Sequence, residues 1–114
     1  MVAWDAGSFN LADVDFLIHE KVMGEQASLF GVPNYSNDMA LAMKAQARRA
    51  DLGFCCFGLT GDYVYCYRAR FVHESDHAVE FAVSVQDSPA LAVCAAALLA
   101  RGVPLSELLG PGIS

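Results

Sequence analysis

The fold is decided by YVYCYRARF (residues 63–71), the centre of a longer stretch, residues 53–85, with the pattern of successive β-strands. Side chains alternate between the two faces of a strand. One face of this segment therefore carries Tyr63, Tyr65, Tyr67, Ala69 and Phe71. The opposite face carries Val64, Cys66, Arg68 and Arg70. The pattern predicts a central strand with one face covered by the rest of the chain.

A further strand is predicted on each side of this segment. Residues 54–59 form the first strand, and Thr60-Gly61-Asp62 supplies the turn that follows it. Residues 77–85 form the third strand, after a second turn at Glu74-Ser75-Asp76. Because short connections join antiparallel neighbours, the sequence predicts a three-stranded antiparallel meander.

A first helix is predicted before the strands. Asn10 is a favourable N-cap, and Gly24 is the expected C-terminal stop. The inward stripe of this helix comprises Leu11, Val14, Leu17, Ile18 and Val22. Its polar residues, Asp15, His19 and Glu20, are predicted to lie largely outside that stripe, with His19 in solvent.

A loop, residues 25–35, and a second helix follow. Leu29 and Phe30 are predicted to pack beneath the loop. Ser36 is expected to cap the second helix, with Asp38 in its first turn and Gly53 at its end. The apolar line of this helix comprises Met39, Met43, Ala47 and Ala50.

The last helix is predicted from Ser88 as the cap and Pro89 as the first helical residue. No residue between Pro89 and Ala100 is charged, and a helix that is apolar on all sides is normally buried on all sides. Its cover would be a layer on one side and a loop or a second subunit on the other. The second option implies a homo-oligomer formed through the Pro89–Ala100 helix.

Together these elements predict a single α+β domain over residues 1–114, in the order α-α-β-β-β-α, with the sheet and helices forming a layered α/β/α sandwich. The core spans residues 10–102, and residues 110–114 form a loose tail.

Composition limits the biological setting. The net charge of −6 and the pI of about 4.7 argue against direct nucleic-acid binding, which requires a basic surface. We expect no signal peptide, because the first residues lack a basic region followed by an apolar run, and the longest apolar run is shorter than the roughly 20 residues that cross a bilayer. The four cysteines show neither a disulfide framework nor zinc spacing. We therefore expect a cytoplasmic protein with no membrane contact and no cofactor.

Three segments resemble a known family. They are DFLIHEKVMG (residues 15–24), PNYSND (residues 33–38) and SPALAVCAAAL (residues 88–98). Their order and spacing resemble the phage ABA-sandwich domain, over about residues 11–102. The resemblance implies a phage or prophage accessory protein, and it supplies no catalytic residues. This chain departs from the family pattern at residues 73–77 and in its tyrosine-rich strand.

Two patterns suggest chemistry. His73-Glu74-Ser75-Asp76-His77 fits H-E-x-x-H, in which two histidines one helical turn apart bind zinc and the glutamate activates water. The surrounding strand pattern places these residues in a turn, where that geometry does not form. Cys94 with His19 or His73 is a nucleophile–base hypothesis, but a cysteine in an apolar helix is typically a core residue. We therefore predict no catalytic residue and no metal ligand.

The predicted function is binding of another protein. Tyr63, Tyr65 and Tyr67 are the candidate binding residues, because tyrosine is favoured at interfaces; packing beneath a helix is the alternative. The partner would be a host or phage protein, most concretely a component of a bacterial antiphage defence such as a CRISPR effector. Two alternatives stay open: a metal-dependent hydrolase using His73, Glu74 and His77, and a homo-oligomeric structural or regulatory module.

Overall fold

A computed structural model describes residues 4–29, 31–48, 54–62, 66–73 and 80–110. Helix α1 spans Leu11–Leu17 and continues as a π-helix over Ile18–Val22. Helix α2 spans Met39–Gln46. The strands are β1 (Phe54–Asp62), β2 (Cys66–His73) and β3 (Glu80–Gln86), and helix α3 spans Pro89–Ala100. Short 3-10 turns occur at Ala6–Ser8, Tyr35–Asn37 and Leu105–Glu107. The prediction of a mixed α+β protein is confirmed.

The start and stop signals of the first helix are confirmed. The Asn10 side chain accepts a hydrogen bond from the Asp13 amide at 3.2 Å, which satisfies one of the unpaired N–H groups at the helix start. After the π-helix the chain turns at Gly24, whose φ of +71° favours glycine. Val14, Ile18 and Val22 are buried as predicted, but Leu11 is 43% exposed, so that part of the stripe was wrong.

The second helix differs from the prediction. Its cap is Asp38 and not Ser36, because one Asp38 carboxylate oxygen accepts from the amides of Ala40 at 2.9 Å and Leu41 at 3.3 Å. Ser36 belongs instead to the Tyr35–Asn37 turn.

The buried face of α2 also lies elsewhere. Ala42 and Ala45 are the residues with no exposed surface, whereas Met39 and Met43 are half-buried. Ala47, which was placed on the apolar line, is exposed. The predicted residues Ala50 and Gly53 lie outside the described residues.

The sheet has the order β1-β2-β3, and both neighbouring pairs are antiparallel. Phe71 pairs with Phe57 on β1 and with Phe81 on β3, and the register between β1 and β2 shifts once, between Phe54 and Cys56. The predicted turn at 60–62 was wrong, since Thr60, Gly61 and Asp62 pair with β2 and extend β1. The predicted second turn, residues 74–76, lies outside the described residues.

Helix α3 forms the centre of the molecule. Ser88 caps it by accepting from the Leu91 amide at 3.3 Å, and Pro89 occupies the first turn, both as predicted. Every residue from 90 to 98 is buried. The helix contacts β2 and β3 as well as α1, α2, the π-helix and the Tyr35–Asn37 turn. The chain therefore buries residues 90–98 of this helix by itself, and a homo-oligomer formed through Pro89–Ala100 stays a prediction.

The segments at the two ends of the described chain pack together. Trp4 pairs with β3, donating its amide to the Ser84 carbonyl and accepting from the Gln86 amide, both at 2.8 Å. Phe9 forms an isolated β-bridge with Leu109.

Within the described parts of the chain, we find no helix with the length and apolar character needed to cross a bilayer.

Candidate functional site

Among the described residues, four buried side chains form a cluster of polar groups, which we call the polar cluster: Asp15, His19, Tyr35 and Ser36. His19 is only 7% exposed and Asp15 only 9%, so the prediction that both lie outside the inward stripe was wrong. On the helix they follow the buried residues Val14 and Ile18 by one position each, so they widen the same inward face. The spacing of Asp15 and His19 on the helix indicated their burial, but their polarity led to the opposite prediction.

Asp15 holds the Tyr35–Asn37 turn against α1. One of its carboxylate oxygens accepts from the backbone amide of Ser36 at 2.7 Å, and both groups are buried. Hydrogen bonds of this length to an ionised acceptor are among the stronger ones in proteins. The Ser36 hydroxyl beside it is buried with no hydrogen-bond partner among the described residues.

His19 joins the same turn to the π-helix. Its Nδ1 lies 2.8 Å from the hydroxyl of Tyr35, in a buried hydrogen bond. Its Nε2 lies 3.7 Å from a carboxylate oxygen of the exposed Glu25. Burial raises the pKa of the Tyr35 hydroxyl, and the negative charges of Glu25 and Asp15 add to the rise. Tyr35 is therefore neutral at physiological pH.

Cys94 lies on α3 with no exposed surface. Burial raises the pKa of its thiol far above the ordinary value, and the Asp15 carboxylate contributes further. Since the thiolate is the nucleophilic form, this thiol is unreactive near neutral pH. The Nδ1 of His19, its hypothetical base, is bonded to Tyr35 instead. The geometry of Cys94 and His19 therefore argues against a nucleophile–base pair.

The raised pKa of Cys94 predicts a loss of stability in alkali. The unfolded thiol releases its proton near its ordinary pKa of 9.0, whereas the buried thiol retains it. The unfolded state then binds fewer protons, so the free energy of unfolding should fall as pH rises above about 9, by up to about 1.4 kcal/mol per pH unit.

Denaturant titrations at pH 8, 9 and 10 would measure this slope. In Cys94→Ala the part of the slope that begins near pH 9 should vanish, and the contribution of Tyr35, with an ordinary pKa of 10.0, should remain. An unchanged slope in Cys94→Ala would show that the thiol titrates equally in both states.

The H-E-x-x-H match at residues 73–77 is described only in part. The backbone of His73 ends β2 and pairs with Phe54, so it is extended at the point where the motif requires a helix. Glu74 and His77 lie outside the described residues. Tyr63 and Tyr65, two of the three predicted binding residues, also lie outside them, and the backbone of Tyr67 pairs with Gly61 and Val85.

The most exposed apolar side chain in the described chain was missed by the sequence analysis. Leu29 is fully exposed, at 103%, and was predicted to pack beneath its loop. It sits in a tight turn, the Leu29 turn, closed by Ser28 and Gly31. The Gly31 amide donates to the Ser28 carbonyl at 3.0 Å, and the Ser28 hydroxyl donates to the Gly31 carbonyl at 3.1 Å. Phe30 lies outside the described residues.

Comparisons with protein-family models, curated proteins and solved structures found no match for this chain. The resemblance to the phage ABA-sandwich domain therefore stays a hypothesis.

The two candidate sites differ in what they can do. The side chains of the polar cluster are buried, so they stabilise the contact between α1, the π-helix and the Tyr35–Asn37 turn. The Leu29 side chain is exposed, on a turn closed by two hydrogen bonds between Ser28 and Gly31, so it can contact another molecule.

Proposed function

We propose that this chain is a non-enzymatic phage or prophage accessory protein that acts by binding another protein. The observation that carries the proposal is Leu29, a fully exposed leucine on a turn closed by two hydrogen bonds. Single exposed apolar residues are common on protein surfaces. A leucine held on a constrained turn is distinctive, because less conformational entropy is lost when such a side chain becomes an anchor in a partner's pocket.

The buried state of the reactive groups supports binding over catalysis. Within the described residues, three side chains of types that often act as nucleophile or base, Ser36, His19 and Cys94, are buried. A reaction would require substrate to reach atoms that lie beneath the surface. Binding through an exposed loop requires no such opening.

In its most concrete form, the proposal is an inhibitor of a bacterial antiphage defence complex such as a CRISPR effector, acting in the host cytoplasm. The resemblance to a phage family supports the setting, and the net charge of −6 favours a basic protein surface as the partner. The proposal retains the tyrosine stripe of residues 63–67 as a second contact surface. It also retains the three-stranded meander in a layered α/β/α sandwich, which the strand order supports.

A crosslinking experiment tests the proposal. A photoreactive amino acid at position 29 should capture a host protein in bacterial cells, whereas the same group at position 11 should not. Leu11 is the matched control because it is also an exposed leucine, at the opposite end of α1 from the loop that carries Leu29.

Once crosslinking has identified the partner, the substitution Leu29→Ser should lower its co-purification with the chain by about tenfold, which corresponds to about 1.4 kcal/mol of binding free energy. It should leave the unfolding free energy within about 0.5 kcal/mol, since the side chain touches little of the chain. Equal capture from positions 29 and 11, or unchanged recovery with Leu29→Ser, would contradict a binding role for this turn.

A further inference from the structure

A cavity of about 290 Å³ lies where the end of the π-helix meets the end of α3. Its lining combines the ends of these helices with the segment that follows α3: Lys21, Arg101, Gly102, Val103, Pro104 and Glu107. None of these residues belongs to the polar cluster or to the Leu29 turn. The cavity is therefore a separate site with its own chemistry.

Two of the seven lysine and arginine residues of this acidic chain line the cavity. The Nε of Arg101 donates to the carbonyl of Lys21 at 3.0 Å, which fixes the guanidinium at the cavity wall. The nearest described carboxylate to the Lys21 ammonium is that of Glu20 at 3.9 Å, in a half-exposed pair of little strength. The two cations therefore share the lining with one carboxylate, that of Glu107, and Glu20 lies beside Lys21 outside the lining.

The backbone amides of residues 101–103 already donate hydrogen bonds within the chain. The amide of Arg101 donates to the carbonyls of Ala97 and Leu98, that of Gly102 to Leu99, and that of Val103 to Leu98. Gly102, with φ of +96°, allows the chain to reverse while these bonds form. A ligand in the cavity would therefore be recognised by side chains, and the side chains that donate are those of Lys21 and Arg101.

We propose that this cavity binds a carboxylate group through the Lys21 ammonium and the Arg101 guanidinium. The planar guanidinium matches a carboxylate, and its terminal nitrogens provide paired donors. With Glu107 ionised, the three charged lining residues sum to +1, which matches a monoanion. A phosphate dianion would leave negative charge in a chain whose net charge is already −6. The carboxylate comes from an acidic side chain of a protein or from a small free acid.

Nuclear magnetic resonance tests this site on the intact protein, through the backbone amide signals of Gly102 and Val103 at pH 7 and constant ionic strength. The probes are acetate, the uncharged-ended peptide acetyl-Gly-Glu-Gly-amide, and inorganic phosphate. Acetate or the peptide should shift both signals saturably, and phosphate should bind more weakly. Tighter binding of the peptide identifies a protein side chain as the source, and saturation by acetate alone identifies a small free acid.

Substitutions test whether the Lys21 ammonium and the Arg101 guanidinium bind the carboxylate. Lys21→Gln and Arg101→Gln should each weaken binding by about tenfold. Arg48→Gln, at an exposed arginine just beyond α2, should leave it unchanged. Lys21→Gln keeps the test valid if Arg101→Gln also loosens the end of α3, because it removes the ammonium and keeps the hydrogen bond from Arg101 to the backbone carbonyl of residue 21. Glu107→Gln raises the cavity charge to +2, so it should tighten acetate binding and improve phosphate binding more.

Three results would overturn the proposal. The first is the absence of saturable shifts with both acetate and the peptide. The second is phosphate binding as tight as that of acetate in the unmodified protein. The third is an affinity in Lys21→Gln and Arg101→Gln equal to that of Arg48→Gln. The site does not depend on the Leu29 turn, so crosslinking at position 29 and binding at the cavity succeed or fail separately.

Discussion

Replacing Asp15 with alanine should lower the free energy of unfolding by about 2–3 kcal/mol. The substitution removes the carboxylate that accepts from the Ser36 amide at 2.7 Å in a buried site. The amide would then stay buried without its partner, and a desolvated, unpaired N–H costs more than the bond itself contributes. Urea denaturation followed by circular dichroism would measure the change as a shift of the midpoint at constant slope.

Two substitutions serve as controls for Asp15→Ala. Asp13→Ala removes an exposed carboxylate from the same helix and should cost about 0.5 kcal/mol or less. Ser36→Ala removes the hydroxyl that has no described partner and keeps the amide, so it should leave stability nearly unchanged. If Asp15→Ala were as mild as Asp13→Ala, the bond to the Ser36 amide would not contribute to the folded state.

The local signals in the sequence predicted the ends of two helices correctly. Asn10 and Ser88 cap their helices, and Gly24 follows the π-helix, because a short polar side chain or a missing Cβ acts on its nearest neighbours. Ser36 failed as a cap because a better one, Asp38, stands two residues further on. The type of side chain determines which residues can cap a helix, and tertiary packing selects among them.

The sequence could predict the two helical members of the polar cluster but not their partners. Spacing alone places Asp15 and His19 beside Val14 and Ile18 on one helical face. Their partners, Tyr35 and Ser36, lie 16 and 21 residues away across a loop, and no sequence period links positions that far apart. A polar residue on an apolar face is the available signal, and it indicates a buried partner without identifying it.

The exposure of Leu29 and the cavity at the end of α3 also escaped prediction, for different physical reasons. A leucine in a loop is normally expected to be buried by other side chains. In the closed turn of this chain the Leu29 side chain is exposed instead. The cavity joins Lys21 to Arg101, eighty positions apart in the chain. Such a pairing depends on how α3 lies against the π-helix, and single-residue preferences carry no information about that arrangement.

Replacing Leu98 with alanine should destabilise the protein by about 3–5 kcal/mol, the larger of the two effects. Leu98 has no exposed surface, and α3 is enclosed by β2, β3 and the helical elements around the polar cluster. Many of its buried neighbours on α3 are alanines, whose short side chains leave little freedom to close the resulting cavity. Against a typical total of about 5–15 kcal/mol, this loss would leave the domain marginally folded at best.

Leu99→Ala is the matched control, because it makes the same chemical change one residue along the same helix. Leu99 is only partly buried, so its loss should cost less than half as much as that of Leu98. Chemical denaturation of both variants at two protein concentrations would decide between two arrangements. Equal losses of unfolding free energy in the two variants, growing with protein concentration, would mean that a second copy covers the Leu99 side of α3. A large loss for Leu98→Ala alone, independent of concentration, means that the chain encloses this helix by itself.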